Sequence, residues 1–86
     1  ILAHAGLPSR MAGNVGNAFA RLVADDLAAG RTRDKSRIFV LETSSFQLDD
    51  TVRFRPNIAV LLNITPAHLD RYQYEMARYT ASKFRL

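Results

Sequence analysis

Residues 38–49, IFVLETSSFQLD, decide the fold. Four consecutive apolar residues, 38–41, lead into the acid Glu42, and the hydroxyl residues Ser44 and Ser45 follow. An unbroken apolar run between polar residues is typical of a strand that is buried on both faces of a parallel sheet. Ligands of such sheets bind beyond the carboxyl ends of the strands. Glu42 therefore either marks the exit of the strand to solvent or places a carboxylate where it can bind a magnesium ion.

Strand and helix patterns alternate on both sides of this stretch. Residues 8–17 are predicted to be extended and to end in a glycine-flanked turn, and residues 18–29 show helical periodicity, with Asn17 as the N-cap. After the central strand, a short helix capped by Ser44 or Ser45 is predicted to reach about residue 52. The second apolar run, 58–62, is predicted to be a second buried strand. This alternation predicts the α/β class, a mostly parallel sheet with flanking helices.

The two ends of the chain are predicted to be helical. Residues 1–6 are typical of the last turns of a helix that Gly6 closes. In the middle of the chain, residues 31–37 are predicted to be a charged connector. Thr65 as N-cap with Pro66 in the first helical position predicts a helix start. Apolar spacing over 69–79 is compatible with one amphipathic helix from there onward.

The composition limits the class of protein. The 86 residues make one domain at most, and the absence of cysteine excludes disulfides and thiolate metal sites. No apolar run approaches the roughly 20 residues that span a bilayer, so a cytoplasmic protein without a membrane partner is predicted. The net charge is +4, but the arginines are scattered along the chain, which argues against nucleic acid as a partner.

Four segments, taken together, resemble the Mur ligase family, whose members use ATP to add amino acids to the peptidoglycan precursor. They are GNVG at 13–16, LETSSFQL at 41–48, LNITPAHLDR at 62–71 and YTASK at 79–83. The form SSFQ is similar to the D-glutamate-adding members. The resemblance implies a monomeric enzyme with ATP and two Mg²⁺ ions as cofactors. Its substrates would be UDP-N-acetylmuramoyl-L-alanine and D-glutamate, joined through an acyl phosphate.

The resemblance also implies roles for single residues. Glu42 matches a magnesium ligand at the ATP phosphates, and His68 matches the histidine that holds the second magnesium near the substrate carboxylate. Lys83 matches a lysine that is carbamylated in this family, and the resulting anion can bind or orient the second magnesium, whereas an ammonium would repel it. The matched substrate contacts are Asn14, Ser44 and Gln47.

The roles of His68 and Lys83 test the prediction of one long helix. Fifteen residues of continuous helix would separate the two residues by roughly 22 Å, too far to serve one metal. If the resemblance holds, the chain must turn back within residues 71–75, and a second helix must begin near Glu75. We therefore predict two helices, although no glycine or proline marks the break.

Some features depart from the family pattern. Ala67 replaces the usual acid before the histidine, which removes a possible partner for His68, and Ser82 stands where alanine is common, a change expected to be harmless. The phosphate loop G-x-x-x-x-G-K-[ST] is expected to precede residue 1. Residues 1–86 would then be part of the central ATP-binding domain, without the UDP-binding and amino-acid-binding domains. Two alternatives remain: another Mur-type or folylpolyglutamate-type ligase, and a non-catalytic α/β module that binds a phosphorylated ligand.

Overall fold

The computed structural model describes residues 1–31 and 36–86, which divide into two compact units, Ile1–Thr43 and Ser44–Leu86. The first unit contains β1 (Ser9–Gly13), α1 (Phe19–Ala28) and β2 (Ile38–Glu42). The second unit contains α2 (Ser45–Asp49), a 3₁₀ helix (Leu69–Tyr72) and α3 (Met76–Lys83). The predicted α/β class is confirmed. Of the predicted connector 31–37, residues 32–35 lie outside the described residues.

The first unit is a strand–helix–strand arrangement in which β1 and β2 pair in parallel. The register runs from Ser9 opposite Ile38 to Gly13 opposite Glu42, so the predicted strand is confirmed and extends to Glu42. Burial on both faces was the wrong expectation, because Val40 is 45% exposed. The ring of Phe39 meets that of Phe19 in α1 at 5.3 Å between centroids. Side chains alternate along a strand, so α1 covers the Phe39 face and leaves Val40 uncovered.

The predicted ends of helices in the first unit are partly correct. Gly6 is confirmed as the closing residue, but residues 2–6 form a hydrogen-bonded turn and not the predicted helix. Gly6 has φ 71°, and the amides of Gly6 and Leu7 donate to the carbonyls of Ala3 and Leu2. This is the hydrogen-bond pattern of a helix end with a left-handed glycine. The prediction of Asn17 as N-cap is wrong. Ala18 is the N-cap of α1, because the carbonyl of Asn17 instead accepts a hydrogen bond from the amide of Gly13 and closes the turn.

The second unit packs around Leu48, Tyr72 and Tyr79, which are all buried. Helix α2 begins at Ser45 with Ser44 as its N-cap, one of the two predicted caps. It ends at Asp49, three residues earlier than predicted, since both the amide and the hydroxyl of Thr51 bind the carbonyl of Leu48 and close the helix there.

The prediction of a second buried strand over 58–62 is wrong. The segment is not a strand, and Ile58 and Leu62 are 81% and 88% exposed. A strand is stabilised by the backbone hydrogen bonds of a neighbouring strand. In the described part of the chain, the sheet consists of β1 and β2 alone, and residues 58–62 do not pair with either strand.

The predicted break between two helices is confirmed. The 3₁₀ helix ends at Tyr72, Gln73 and Tyr74 have φ values of 55° and 61°, and α3 begins at Met76. The prediction of a helix start at Pro66 with Thr65 as N-cap is wrong. His68 has φ 52°, and a residue in this left-handed conformation cannot lie within a right-handed helix, so helical structure starts only at Leu69.

None of the helices in the described ranges 1–31 and 36–86 is long and apolar enough to cross a membrane.

Candidate active site

In the first unit, the candidate site residues Asn14 and Glu42 meet at the carboxyl ends of the two parallel strands. Gly13 and Glu42 are the last paired residues, and the amide of Asn14 donates to the carbonyl of Glu42 at 2.8 Å. Both side chains are exposed. An exposed carboxylate residue and an exposed side-chain amide residue therefore lie together in the backbone at this edge, in the place where parallel sheets bind ligands.

The close approach of the strands at this edge depends on Gly13. Its φ is 115°, and a Cβ there would lie 3.0 Å from both the carbonyl carbon and the amide nitrogen of Glu42, with the carbonyl oxygen closer still. Side chains other than hydrogen do not fit such a contact. Gly13 thus fixes the positions of the two residues on either side of the edge, Asn14 and Glu42.

In the second unit, Ser44 and Gln47 cap the start of α2. The Oγ of Ser44 accepts from the amide of Gln47 at 3.4 Å, and the Oε1 of Gln47 accepts from the amide and the hydroxyl of Ser44 at 3.0 Å each. This reciprocal arrangement satisfies amides that a helix start leaves unpaired. The Gln47 side chain is exposed, and its side-chain nitrogen, Nε2, takes no part in the cap. The role of Ser44 and Gln47 as substrate contacts stays a prediction. The cap leaves the Nε2 of Gln47 available as a hydrogen-bond donor.

His68 lies just before the 3₁₀ helix, and its ring packs edge-on against Phe46 of α2. The two ring centroids are 6.1 Å apart and the planes meet at 89°, while the guanidinium of Arg71 lies 4.5 Å from the centroid of the same Phe46 ring. Phe46 thus orients His68, although the imidazole itself is exposed. Phe46 therefore has a structural role: its ring packs against both His68 and Arg71.

Lys83 ends α3 and is half-buried. Its Nζ lies 5.2 Å from the centroid of the Tyr79 ring and 3.5 Å from the carbonyl oxygen of Asn63, at the outer limit of a hydrogen bond. Among the described residues, the salt bridges do not include Lys83. The amine is therefore held loosely, by a ring face and a neutral carbonyl.

Of the candidate metal ligands, Glu42 fits magnesium as it stands, and Lys83 fits it under one condition. Within residues 1–31 and 36–86, no group of three or more histidine, aspartate and glutamate side chains could hold a metal ion. Magnesium is usually held by one or two carboxylates, with water and substrate phosphates completing its shell, so Glu42 alone suits one ion. Lys83 fits a cation only as the carbamate, since its ammonium would repel the metal.

The sequence analysis missed an ionic cluster in the first unit, centred on the buried carboxylate of Asp26. Its Oδ1 lies 3.2 Å from Arg10, 3.0 Å from Arg31 and 2.6 Å from Arg37. The nearby guanidinium of Arg37 lowers the pKa of the Asp26 carboxyl below its ordinary value of 3.8; burial opposes this, and the hydrogen bonds from Arg31 add to the lowering. Arg10 belongs to β1, and the other two arginines lie between α1 and β2. Asp26 therefore joins helix α1 to β1 and to the connection between α1 and β2.

A second group that sequence reasoning missed is the buried pair Tyr72 and Ser82. The Tyr72 hydroxyl donates to the Oδ2 of Asp49 at 3.0 Å and lies 3.2 Å from the Ser82 Oγ, which donates to the carbonyl of Ser45 at 2.6 Å. Only the helical spacing of Tyr72 could be seen in the sequence, and Ser82 was expected to be a harmless change.

Comparison with known protein families assigns the chain to a family. The model of the Mur ligase middle domain matches residues 7–86. The chain belongs to the Mur ligase family. It matches the middle domain of these enzymes over nearly all of its length, which confirms the resemblance of the four sequence segments and agrees with the parallel strands of the first unit.

This Mur ligase middle domain is similar to several curated UDP-N-acetylmuramoylalanine–D-glutamate ligases. It is 49% identical to the enzymes of Christiangramia forsetii and Cytophaga hutchinsonii and 46% identical to that of Bacteroides fragilis, in each case over all 86 residues. The chain spans 18%, 17% and 18% of the lengths of these three relatives.

Proposed function

We propose that the chain forms part of the central ATP-binding domain of a ligase that joins D-glutamate to UDP-N-acetylmuramoyl-L-alanine. The reaction would serve peptidoglycan precursor synthesis in the cytoplasm, and the full-length enzyme would act as a monomer. The observation that carries this proposal is the identity of 46–49% across all 86 residues with relatives that bear this enzyme name. Because the chain spans less than a fifth of those relatives, the 86 residues alone are expected to be inactive.

The proposed reaction has two steps. The carboxylate of the alanyl group attacks the γ-phosphate of ATP, which gives an acyl phosphate and ADP. The amine of D-glutamate then attacks the acyl carbon, and inorganic phosphate and a proton leave as the amide forms. Negative charge gathers at the phosphates and at the acyl oxygen in both steps, so the site must offer fixed donors and cations.

Residues of the first unit would serve the phosphates. Magnesium, when bound, neutralises phosphate charge and polarises the transferred group. The exposed carboxylate of Glu42 at the end of β2 would hold the ion, and the side-chain amide of Asn14, which directly follows β1, would donate to the substrate. The hydrogen bond from Asn14 to the Glu42 carbonyl supports this pairing, since it fixes the two backbones together.

Residues of the second unit would serve the substrate carboxylate. His68 would hold the second ion, Ser44 and Gln47 would contact the muramoyl or diphosphate portion, and Lys83 would act as its carbamate. Carbamylation joins the neutral amine to CO₂ and releases one proton, and it needs an amine that no carboxylate holds. The loose contact of Lys83 with the Asn63 carbonyl supports this role.

Two substitutions in the full-length protein test the proposal. Glu42→Gln and Lys83→Ala are expected to lower ATP-dependent ligation at least about 100-fold, as when a group that stabilises developing charge is removed. Added short carboxylates should restore part of the activity of Lys83→Ala, because they can replace the missing carbamate.

The matched controls change the same kinds of residue elsewhere. Asp25→Asn removes an exposed carboxylate that pairs with Arg21 in α1, and Arg78→Ala removes an exposed cation from the helix that carries Lys83. Exposed pairs of this kind contribute little, so both controls should keep wild-type activity. Full activity of Glu42→Gln would refute the proposed role of the sheet edge.

A further inference from the structure

Buried hydrogen bonds around Ser82 join three elements of the second unit. Ser82 lies in α3, is 3% exposed, and donates to the backbone carbonyl of Ser45 in α2 at 2.6 Å. Tyr72, the last residue of the 3₁₀ helix, donates to Asp49 at the end of α2 at 3.0 Å. The two hydroxyls are 3.2 Å apart. We call this group the Tyr72–Ser82–Asp49 network.

The number of protons decides which of these contacts is strong. The hydroxyls of Tyr72 and Ser82 carry one proton each, and the carboxylate of Asp49 and the carbonyl of Ser45 can only accept. Two protons therefore serve three contacts. The shorter contacts, to Ser45 and to Asp49, take them, and the contact between the hydroxyls is the weakest. Each hydroxyl thus ties its own element to α2.

The network is adjacent in sequence to both residues proposed to serve the second magnesium. Lys83 directly follows Ser82, and His68 directly precedes the 3₁₀ helix that ends at Tyr72. The ring of Tyr72 also packs edge-on against Tyr79 at 5.6 Å, and the ring of Tyr79 faces the Nζ of Lys83. A shift of either element relative to α2 would therefore move a proposed magnesium ligand.

We propose that Tyr72, Ser82 and Asp49 are positioning residues, which hold His68 and Lys83 in place for the second magnesium. The inference rests on the proposed function, since it assumes that these two residues act on one ion. It adds residues that the family resemblance does not assign. Groups that orient metal ligands typically change metal affinity by about 10–100-fold when they are removed.

The test uses Tyr72→Phe in the full-length protein, with Tyr74→Phe as the matched control. Tyr72→Phe keeps the ring that packs in the core and removes only the hydroxyl, whereas Tyr74 is 78% exposed. We expect Tyr72→Phe to raise the Mg²⁺ concentration for half-maximal phosphate release about 10-fold and to leave the KM for ATP unchanged. The ¹³C carbamate signal of Lys83, labelled with ¹³C-bicarbonate, should weaken as well.

Two variants of the exposed Asp49 test the same tie without changing the core. Asp49→Ala should reproduce the magnesium effect of Tyr72→Phe, and Asp49→Asn should stay close to wild type, because its side-chain carbonyl still accepts from Tyr72. The double variant Tyr72→Phe/Asp49→Ala should need no more Mg²⁺ than either single variant, since both substitutions remove the same hydrogen bond.

The outcomes separate the inference from the proposed function. A lower melting temperature of Tyr72→Phe with an unchanged magnesium requirement and an unchanged carbamate signal would overturn the inference and leave the network a purely structural one. Equal magnesium requirements of Tyr72→Phe and Tyr74→Phe would do the same. A folded wild-type protein that releases no phosphate with the proposed substrates would instead overturn the proposed function.

Discussion

Replacing Gly13 with alanine tests whether the close approach of β1 and β2 positions the candidate site. A Cβ at Gly13 would lie far inside normal contact distance of the Glu42 carbonyl. The backbone at Gly13 has φ 115°, a conformation that residues other than glycine rarely adopt. The strands must therefore separate at their carboxyl ends. This movement stretches the hydrogen bond of 2.8 Å from the amide of Asn14 to Glu42.

The magnitude follows from two terms. A residue forced into a sparsely populated backbone region costs about 1–3 kcal/mol, and a lost hydrogen bond costs about 0.5–1.5 kcal/mol. Gly13→Ala should thus destabilise the protein by about 1.5–4.5 kcal/mol. It should also raise the magnesium and ATP concentrations needed for half-maximal activity, because Glu42 and Asn14 both move.

Gly30→Ala is the matched control. Gly30 also has a positive φ, 66°, but a Cβ there would meet nothing within 4 Å. Only the conformational cost remains, about 1–2 kcal/mol, and activity should be unchanged. Denaturant unfolding and phosphate-release assays of both full-length variants measure the difference. Equal destabilisation by the two substitutions, with equal activity, would refute the reasoning.

Two further predictions concern the ends of α1 and α2. Because the guanidinium groups of Arg37 and Arg31 hold the pKa of Asp26 below 3.8, the carboxylate stabilises the fold fully above pH 3.8, and this contribution disappears as the pH falls through the lowered value. Asp26→Asn should therefore lower the melting temperature at pH 7, and the gap to wild type should narrow below pH 3.8; a constant gap would contradict the assignment. Ser44→Ala should lower the free energy of unfolding by about 1 kcal/mol, because the helix loses its cap. Ser44→Asp should restore the melting temperature, because a carboxylate also caps a helix. It should not restore the KM for the muramoyl substrate, because the carboxylate repels phosphate. Full recovery of both quantities in Ser44→Asp would show that Ser44 acts only as a cap.

The central strand could be predicted from the sequence because its signal is local. Four apolar residues before an acid favour a buried strand, and β2 forms there. The same kind of run over 58–62 gave the wrong result, because an apolar segment becomes a strand only beside a partner, and hydrophobicity does not specify the partner. The exposure of Val40 in β2 has a similar origin, since α1 packs against Phe39 on the opposite face of the strand.

The break between the 3₁₀ helix and α3 was predicted from function and not from local sequence. Gln73 and Tyr74 are not typical residues for positive φ, so their conformation is imposed by contacts such as the bond from the amide of Tyr74 to the carbonyl of Leu69. Ser82 could not be predicted for the opposite reason. Its neighbours in space, Ser45 and Tyr72, are far from it in sequence, and a single serine in a helix carries no signal of burial.

The most direct test of the central claim is phosphate release by the full-length protein in the presence of ATP, Mg²⁺ and UDP-N-acetylmuramoyl-L-alanine, with and without D-glutamate. Release that requires both the muramoyl substrate and D-glutamate is the result we predict. Release with a different amino acid would retain the family and change the member. No release with any Mur ligase substrate, from a folded protein, would contradict the proposed activity.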